Sequence, residues 1–236
     1  MSERKGRARL LTWNIHAAVG ADRRYSLERV VDLVQRHDPD IVALQEIDAR
    51  GRAAEASPFA RLAAALGSHA AEARTISAPD GDYGHAIISR WPLANTVLHD
   101  LTAFEREPRF AIETEVETPW GVMHLAAVHL GLQLRERRHQ AAILAGIAAR
   151  PFATTVMMGD FNEWSSHGAV RQALARQLPA RTRHRTFPAR LPLLMLDRIY
   201  CRPHDALIAS WVDRHARTTS DHLPVVADIR LSEAGI

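Results

Sequence analysis

The chain has 236 residues, 47% hydrophobic and 24% charged, with a formal net charge of +3. That length and balance exclude whole-chain disorder and allow a single domain with a sizeable core. No apolar run nears the roughly 20 residues of a membrane helix, and a lone cysteine, Cys201, excludes an intrachain disulfide.

The start of the chain is polar and basic and does not read as a signal peptide; residues 1–8 are expected to be flexible. The cytoplasm is the expected compartment and a monomer the default. Arg9–Ile15 reads as a buried strand. Ser26–Arg36 places Leu27, Val30, Val31 and Val34 at helical spacing behind Ser26, an N-cap residue. Pro39 ends that helix, and Ile41–Leu44 gives a second buried strand running into Gln45-Glu46. Strand, helix, strand is a βαβ-like opening.

Pro58–Leu66 reads as a short helix. Strands follow at His85–Ser89, Thr96–Leu101, Phe110–Val116 and Val122–His129, with breaks at Pro92 and Pro119-Trp120-Gly121. A long helix spans Gln133–Ala149, then a buried strand, Thr154–Met158, enters Gly159-Asp160-Phe161-Asn162. Ala169–Gln177 reads as helix; Met195–Cys201 and Leu223–Ile229 read as late strands. The exposed loop candidates are Ala17–Arg24, Arg74–Tyr83, Leu101–Arg106 and Arg181–Pro192. A weak internal echo sets the strand ending in Asn14 beside the strand ending in Asp160-Phe161-Asn162, as if each opened one half.

Polar residues able to bind metal or move protons recur at strand ends: Asn14, Glu46, His129, Asp160 with Asn162, Asp197, and Asp221-His222. Taken singly, each has a plain reading as a turn residue, a cap or a satisfied core histidine. Together they are hard to explain as separate turns, and in layered α/β folds such strand ends line one crevice. Carboxylate and amide oxygens favour a hard cation, Mg²⁺ or Mn²⁺; no Cys/His cluster has zinc spacing.

These blocks resemble the endonuclease/exonuclease/phosphatase superfamily, and among its members the small bacterial metal-dependent hydrolases. The matching stretches are Thr12–His16, Pro39–Glu46, Gly84–Arg90, Val128–Leu130, Gly159–Asn162, Leu196–Ile199 and Ser220–Pro224, in order along nearly the whole chain. The resemblance implies an α/β (α+β) fold, a four-layered αββα sandwich of two mixed sheets. It implies that Glu46 is the main metal ligand, with Asn14 and Asp221 in the metal shell. Asp160 would orient or deprotonate the attacking water. Asn162, His222 and His129 would contact the phosphate, Asp197 would orient His222, and Arg109 is a candidate phosphate contact. Many relatives carry Gly-Asn where this chain has Gly84-His85.

The implied activity is divalent-metal-dependent hydrolysis of a phosphoester. An arginine excess, in Arg135–Arg138 and Arg181–Arg190, fits a nucleic-acid phosphodiesterase but equally a solvated arginine-rich surface. The lack of long insertions and the apolar Phe187–Leu196 stretch fit a phospholipid headgroup or a small phosphorylated metabolite, the last as a monoester. A binding module with a decayed site is the reading from another class; the complete residue set argues against it.

Overall fold

The computed structural model describes residues 5–52, 56–165 and 167–231. The strand β1 spans Arg7–Asn14, so it begins inside the stretch expected to be flexible; residues 1–4 lie outside the described residues. Helix α1, Leu27–Gln35, follows, with the Ser26 hydroxyl accepting from Arg29 N–H as the cap requires. Then come β2 (Ile41–Asp48), α2 (Pro58–Leu66), β3 (His69–Ala78), β4 (Gly81–Ser89), β5 (Leu93–Asp100) and β6 (Phe110–Thr118). The second half runs β7 (Gly121–His129), α3 (Leu134–Ala148), β8 (Thr155–Asp160), α4 (Ala169–Leu174), β9 (Ala180–Arg181), β10 (Asp197–Arg202), β11 (Leu207–Val212) and β12 (Val225–Arg230).

Two six-stranded mixed sheets form, in the orders β11-β12-β1-β2-β4-β3 and β5-β6-β7-β8-β10-β9. Alternate residues of each strand face opposite ways. Leu10, Ile41 and Ile87 meet Leu125 and Val156 between the sheets. Their neighbours Leu11 and Val42 pack under Val30 and Phe59 of α1 and α2. Ala126 and Met157 pack under Leu144 and Val170 of α3 and α4. Helices, sheet, sheet, helices is the four-layered αββα sandwich that the motifs imply.

The same succession of elements occurs twice: β-α-β-α-β-β-β-β from β1 to β6, and again from β7 to β12. In each half the first two strands are parallel neighbours, and the last hairpin crosses to the sheet of the other half. The second half therefore opens at β7, not at β8. The sequence echo is off by one strand: the repeat sets Asn14 against His129, and Glu46 against Asp160. Two expected elements are corrected as well. Arg74–Tyr83 is not a loop but the turn and adjoining strand ends of the β3–β4 hairpin, and β11, unread in the sequence, is the edge strand beside β12.

Candidate active site

The parallel pairs β1–β2 and β7–β8 end at the same side of the sandwich, and that side gathers the polar strand ends. Asn14 closes β1 and His129 closes β7, directly opposite Asp160 in the parallel register. Glu46 sits in a bulge: the β2–β4 register jumps between Leu44 and Ile47, and Glu46 takes a φ of 58°. A bulge re-aims a side chain that regular pleating would send elsewhere. Asn162 is also left-handed, at φ 49°. Such backbone costs of order 1 kcal/mol or more for a non-glycine residue and clusters at functional sites. Before Asp160, Gly159 has φ 147°, and a Cβ there would lie 1.9 Å from the Val128 carbonyl oxygen. Only glycine lets β8 run that close to β7.

Across the sheets, Asn14 Nδ2 donates to Glu46 Oε1 at 2.8 Å and to Asp160 Oδ2 at 3.1 Å. Asn14 Oδ1 accepts from His16 N–H at 3.1 Å, so the amide spaces two carboxylates while its oxygen faces its own turn. His129 Nε2 lies 3.8 Å from both Glu46 Oε1 and Asp160 Oδ2. His222 Nδ1 is 2.8 Å from Asp197 Oδ2, and its Nε2 is 3.9 Å from Asp160 Oδ2. Asn162 N–H donates to Asp160 Oδ1 at 2.9 Å, and its Nδ2 to the Leu130 carbonyl. The loop bearing Asp221 and His222 is pinned from below: Ser220 Oγ donates to the Asn14 carbonyl, and Trp13 Nε1 to the His222 carbonyl.

Arg109 is a buried residue of this cluster rather than an open strand-edge cation. Its Nη1 donates to His129 Nδ1 at 2.8 Å. Arginine has only donors, so Nδ1 must accept and the ring proton sits on Nε2, facing Glu46 and Asp160. Burial, reinforced by the Arg109 charge, holds His129 well below its ordinary value and neutral. His85 lies beneath, fully buried and pushed down to about 4 by burial and then by Arg109.

The centre carries a surplus of negative charge. Among the described residues, only histidines come within ion-pair distance of Glu46, Asp160, Asp197 and Asp221; no lysine or arginine does. Burial, with Asp197 close by, raises Asp160 to about 6. Burial would lower His222, but Asp197 and Asp160 outweigh it and raise it to about 10. Burial pushes Glu46 up as well, yet the approach of His16 and the Asn14 hydrogen bond leave it at about 2. Asp197 Oδ1 is buried with no hydrogen-bond partner. Crowded oxygens with no lysine or arginine in ion-pair contact are the donor set a hard divalent ion fits.

Two neighbouring groups could contribute ligands. Asp160, Asp197 and His222 have candidate ligand atoms within 4.8 Å of one another. Glu46 and Asp221 face a common point now taken by His16 Nδ1, 3.7 and 3.6 Å away. Asp197 and His222 are already bonded to each other, so the second group is the more open. His16 ends the matching stretch Thr12–His16 but was not legible as a member of this set. Tyr83, half-buried beside Glu46 and Arg109 and raised above its ordinary value mainly by burial, was not legible at all. Both are brought in by packing, and only the position of His16, two residues after Asn14, gave a signal.

A crevice of carboxylates, asparagines and histidines at the joined strand ends of a four-layered sandwich defines a class of protein. The chain belongs to the endonuclease/exonuclease/phosphatase family, whose sequence profile matches residues 11–222. Its homologues in that family are hydrolases of phosphoester bonds and are generally dependent on a divalent metal. Over 94% of its length the chain is 32% identical to the uncharacterized protein YbhP of Escherichia coli K12, covering 96% of that protein. Among solved structures, an endonuclease/exonuclease/phosphatase from Beutenbergia cavernae aligns with a TM-score of 0.77 at 22% identity, covering 96% of this chain and 72% of that one. The catalytic domain of human Nocturnin, solved with a bound sulfate, aligns with a TM-score of 0.72 at 20% identity, covering 96% and 95%. At those identities the two structures speak to the fold alone. No helix is long and apolar enough to cross a membrane among the described residues.

Proposed function

We propose that the chain is a divalent-metal-dependent phosphodiesterase that attacks phosphorus with a water positioned by Asp160. The observation that carries this reading is the junction at Asp160: Asn14, His129 and His222 all approach its Oδ2, at 3.1, 3.8 and 3.9 Å. Asp160, raised to about 6, can hold or accept a proton near neutral pH, as a general base requires. His222 stays protonated through Asp197 and can place its Nε2–H on a phosphoryl oxygen. Neutral His129 presents Nε2–H to the same space, and the second N–H of the Asn162 amide can add a fixed donor. Glu46 and Asp221 would hold Mg²⁺ or Mn²⁺, with Asn14 spacing Glu46 from Asp160. When bound, the ion would neutralise phosphoryl oxygens and polarise the phosphorus. We place the protein in the cytoplasm, in keeping with its one buried thiol, Cys201.

The test is hydrolysis of bis-p-nitrophenyl phosphate and p-nitrophenyl phosphate with Mg²⁺ or Mn²⁺, beside the Asp160→Ala protein. Metal-dependent cleavage of the diester, lost in the variant, is expected. Preference for the monoester would replace the diesterase reading with a monoesterase. Silence together with no metal binding would revive the decayed-site reading.

A further inference from the structure

We infer that the rim of the catalytic crevice docks on an anionic membrane surface, which delivers the headgroup phosphodiester of a phospholipid to the site. This rests on the hydrolase reading above and names its substrate class. The large apolar side chains exposed to water are not scattered. Among the described residues six of the nine, Phe104, Leu132, Leu134, Trp164, Leu191 and Leu193, are between 49% and 68% exposed and lie on four loops or, for Leu134, on the first residue of α3 beside its loop. Those loops are β5–β6, β7–α3, β8–α4 and β9–β10. Each adjoins a catalytic strand end: Arg109 opens toward His129, His129 precedes Leu132, Asn162 precedes Trp164, and Leu193 precedes Asp197. Scattered apolar surface needs no explanation, but a set concentrated around one crevice marks a contact surface.

The tips are held in place. Arg137 donates to the Gly131 and Leu132 carbonyls and lies 5.2 Å from the Trp164 ring. Leu132, Leu134 and Trp164 thereby share one open cavity. Leu193 N–H donates to the Phe187 carbonyl, and the Phe187 ring packs 4.8 Å from that of His222. The apolar tips thus stand on the same supports as the catalytic histidine.

Charge selects the partner. Between Arg181 and Leu196 there is no acidic residue, and Arg183, Arg185 and Arg190 are exposed. Arg135 and Arg138 are exposed beside Leu134, while Glu136 is buried and bonded to Gln133 N–H. Glu163, after Asn162, is buried and bonded to the N–H groups of Val170 and Arg171. Only the β5–β6 loop shows exposed acids, Glu105 and Glu107. Leucine and tryptophan tips ringed by arginine match the boundary between headgroup and acyl chain of an anionic bilayer. A single-stranded nucleic acid is gripped by cations and by stacking on aromatic rings. Four leucines out of six offer neither.

The experiment is co-sedimentation of the full chain with phosphatidylcholine vesicles, with and without phosphatidylglycerol, beside a single-stranded oligonucleotide. Binding to the phosphatidylglycerol vesicles that weakens with salt is expected. The double variant Leu132→Ser/Leu191→Ser should partition about ten-fold more weakly, since each leucine side chain loses its burial in lipid. Its melting temperature should stay at the wild-type value, which separates lost docking from lost fold. No vesicle binding at low salt, with wild-type hydrolysis of bis-p-nitrophenyl phosphate intact, would overturn the docking face and leave the hydrolase reading standing. Tight oligonucleotide binding, unaffected by the double variant, with none to vesicles would overturn it in favour of nucleic acid. Vesicle binding without turnover of any phosphoester would support docking and overturn the hydrolase reading instead.

Discussion

His124 and His129 lie on one strand, β7, and each is a buried histidine beside carboxylates, yet the surroundings of the two, nearer either end of that strand, are opposites. At the far end, His124 Nε2 is 2.7 Å from Glu113 Oε1, His99 Nε2 is 2.6 Å from Oε2, and Arg150 Nε is 2.8 Å from Oε1. One carboxylate there has three partners, one of them a permanent cation. At the crevice end, four carboxylates have three histidines and no lysine or arginine within ion-pair distance among the described residues, and Arg109 bonds to His129 instead of to a carboxylate. The first cluster is electrically closed. The second is left open, with one carboxylate raised to about 6. A closed cluster stabilises the fold, whereas an open one keeps capacity for a cation and an anionic ester.

The contrast breaks most plainly through Asp160. Asp160→Ala should lower turnover of bis-p-nitrophenyl phosphate about 100- to 10,000-fold, the range of one general base. It should leave the melting temperature at or above the wild-type value, because Asp197 loses a crowding neighbour. A large fall in melting temperature would mean that the two ends of β7 do not differ as described. Glu46→Gln follows in size. It removes the charge of the proposed main ligand and should weaken Mg²⁺ or Mn²⁺ binding by about ten-fold or more in titration calorimetry. Unchanged affinity would move the ion toward Asp160, Asp197 and His222.

The two ends were unequally legible in the sequence. The runs Ile41–Leu44 and Val156–Met158 read as strands because both faces are buried, so they stay apolar throughout. The polar residues that end such runs announced the crevice, and Asn14, Glu46, His129, Asp160, Asn162, Asp197, Asp221 and His222 do meet there. Strand β3 was missed since His69–Ala78 is a half-exposed edge strand whose pattern of Ala, Arg and Glu carries no strand signal; pairing with β4 decides it. Arg109 was legible as a candidate phosphate contact, but not as the group that fixes the His129 tautomer. That role arises from the β6–β7 register, which sets Ala111 opposite Val128. The closed cluster went unread for the same reason: Glu113, His124, His99 and Arg150 come from four separate segments, and none ends an apolar strand.

The smaller effects sharpen the contrast from its closed side. Glu113→Gln should cost about 2–3 kcal/mol of stability in urea unfolding, since it breaks a buried, charge-assisted network. Turnover should be unchanged, because the Glu113 carboxylate bonds to His124, His99 and Arg150 and to no residue of the crevice. The pH dependence of that gap gives a finer reading. Burial pushes Glu113 up, but the hydrogen bonds from His124 and His99 outweigh it and hold the carboxyl below its ordinary value. His124 is itself lowered, first by burial, so at neutral pH it donates as a neutral imidazole and Arg150 supplies the charge. A group with a depressed folded value contributes stability above its unfolded value and loses it as pH falls through the folded one. The gap between wild type and Glu113→Gln should therefore be widest near neutrality and narrow once the pH drops below the ordinary carboxylate value of about 4.3. A gap that stayed constant down to pH ~3 would mean that the network acts by shape and packing alone, and that its closure is not electrostatic.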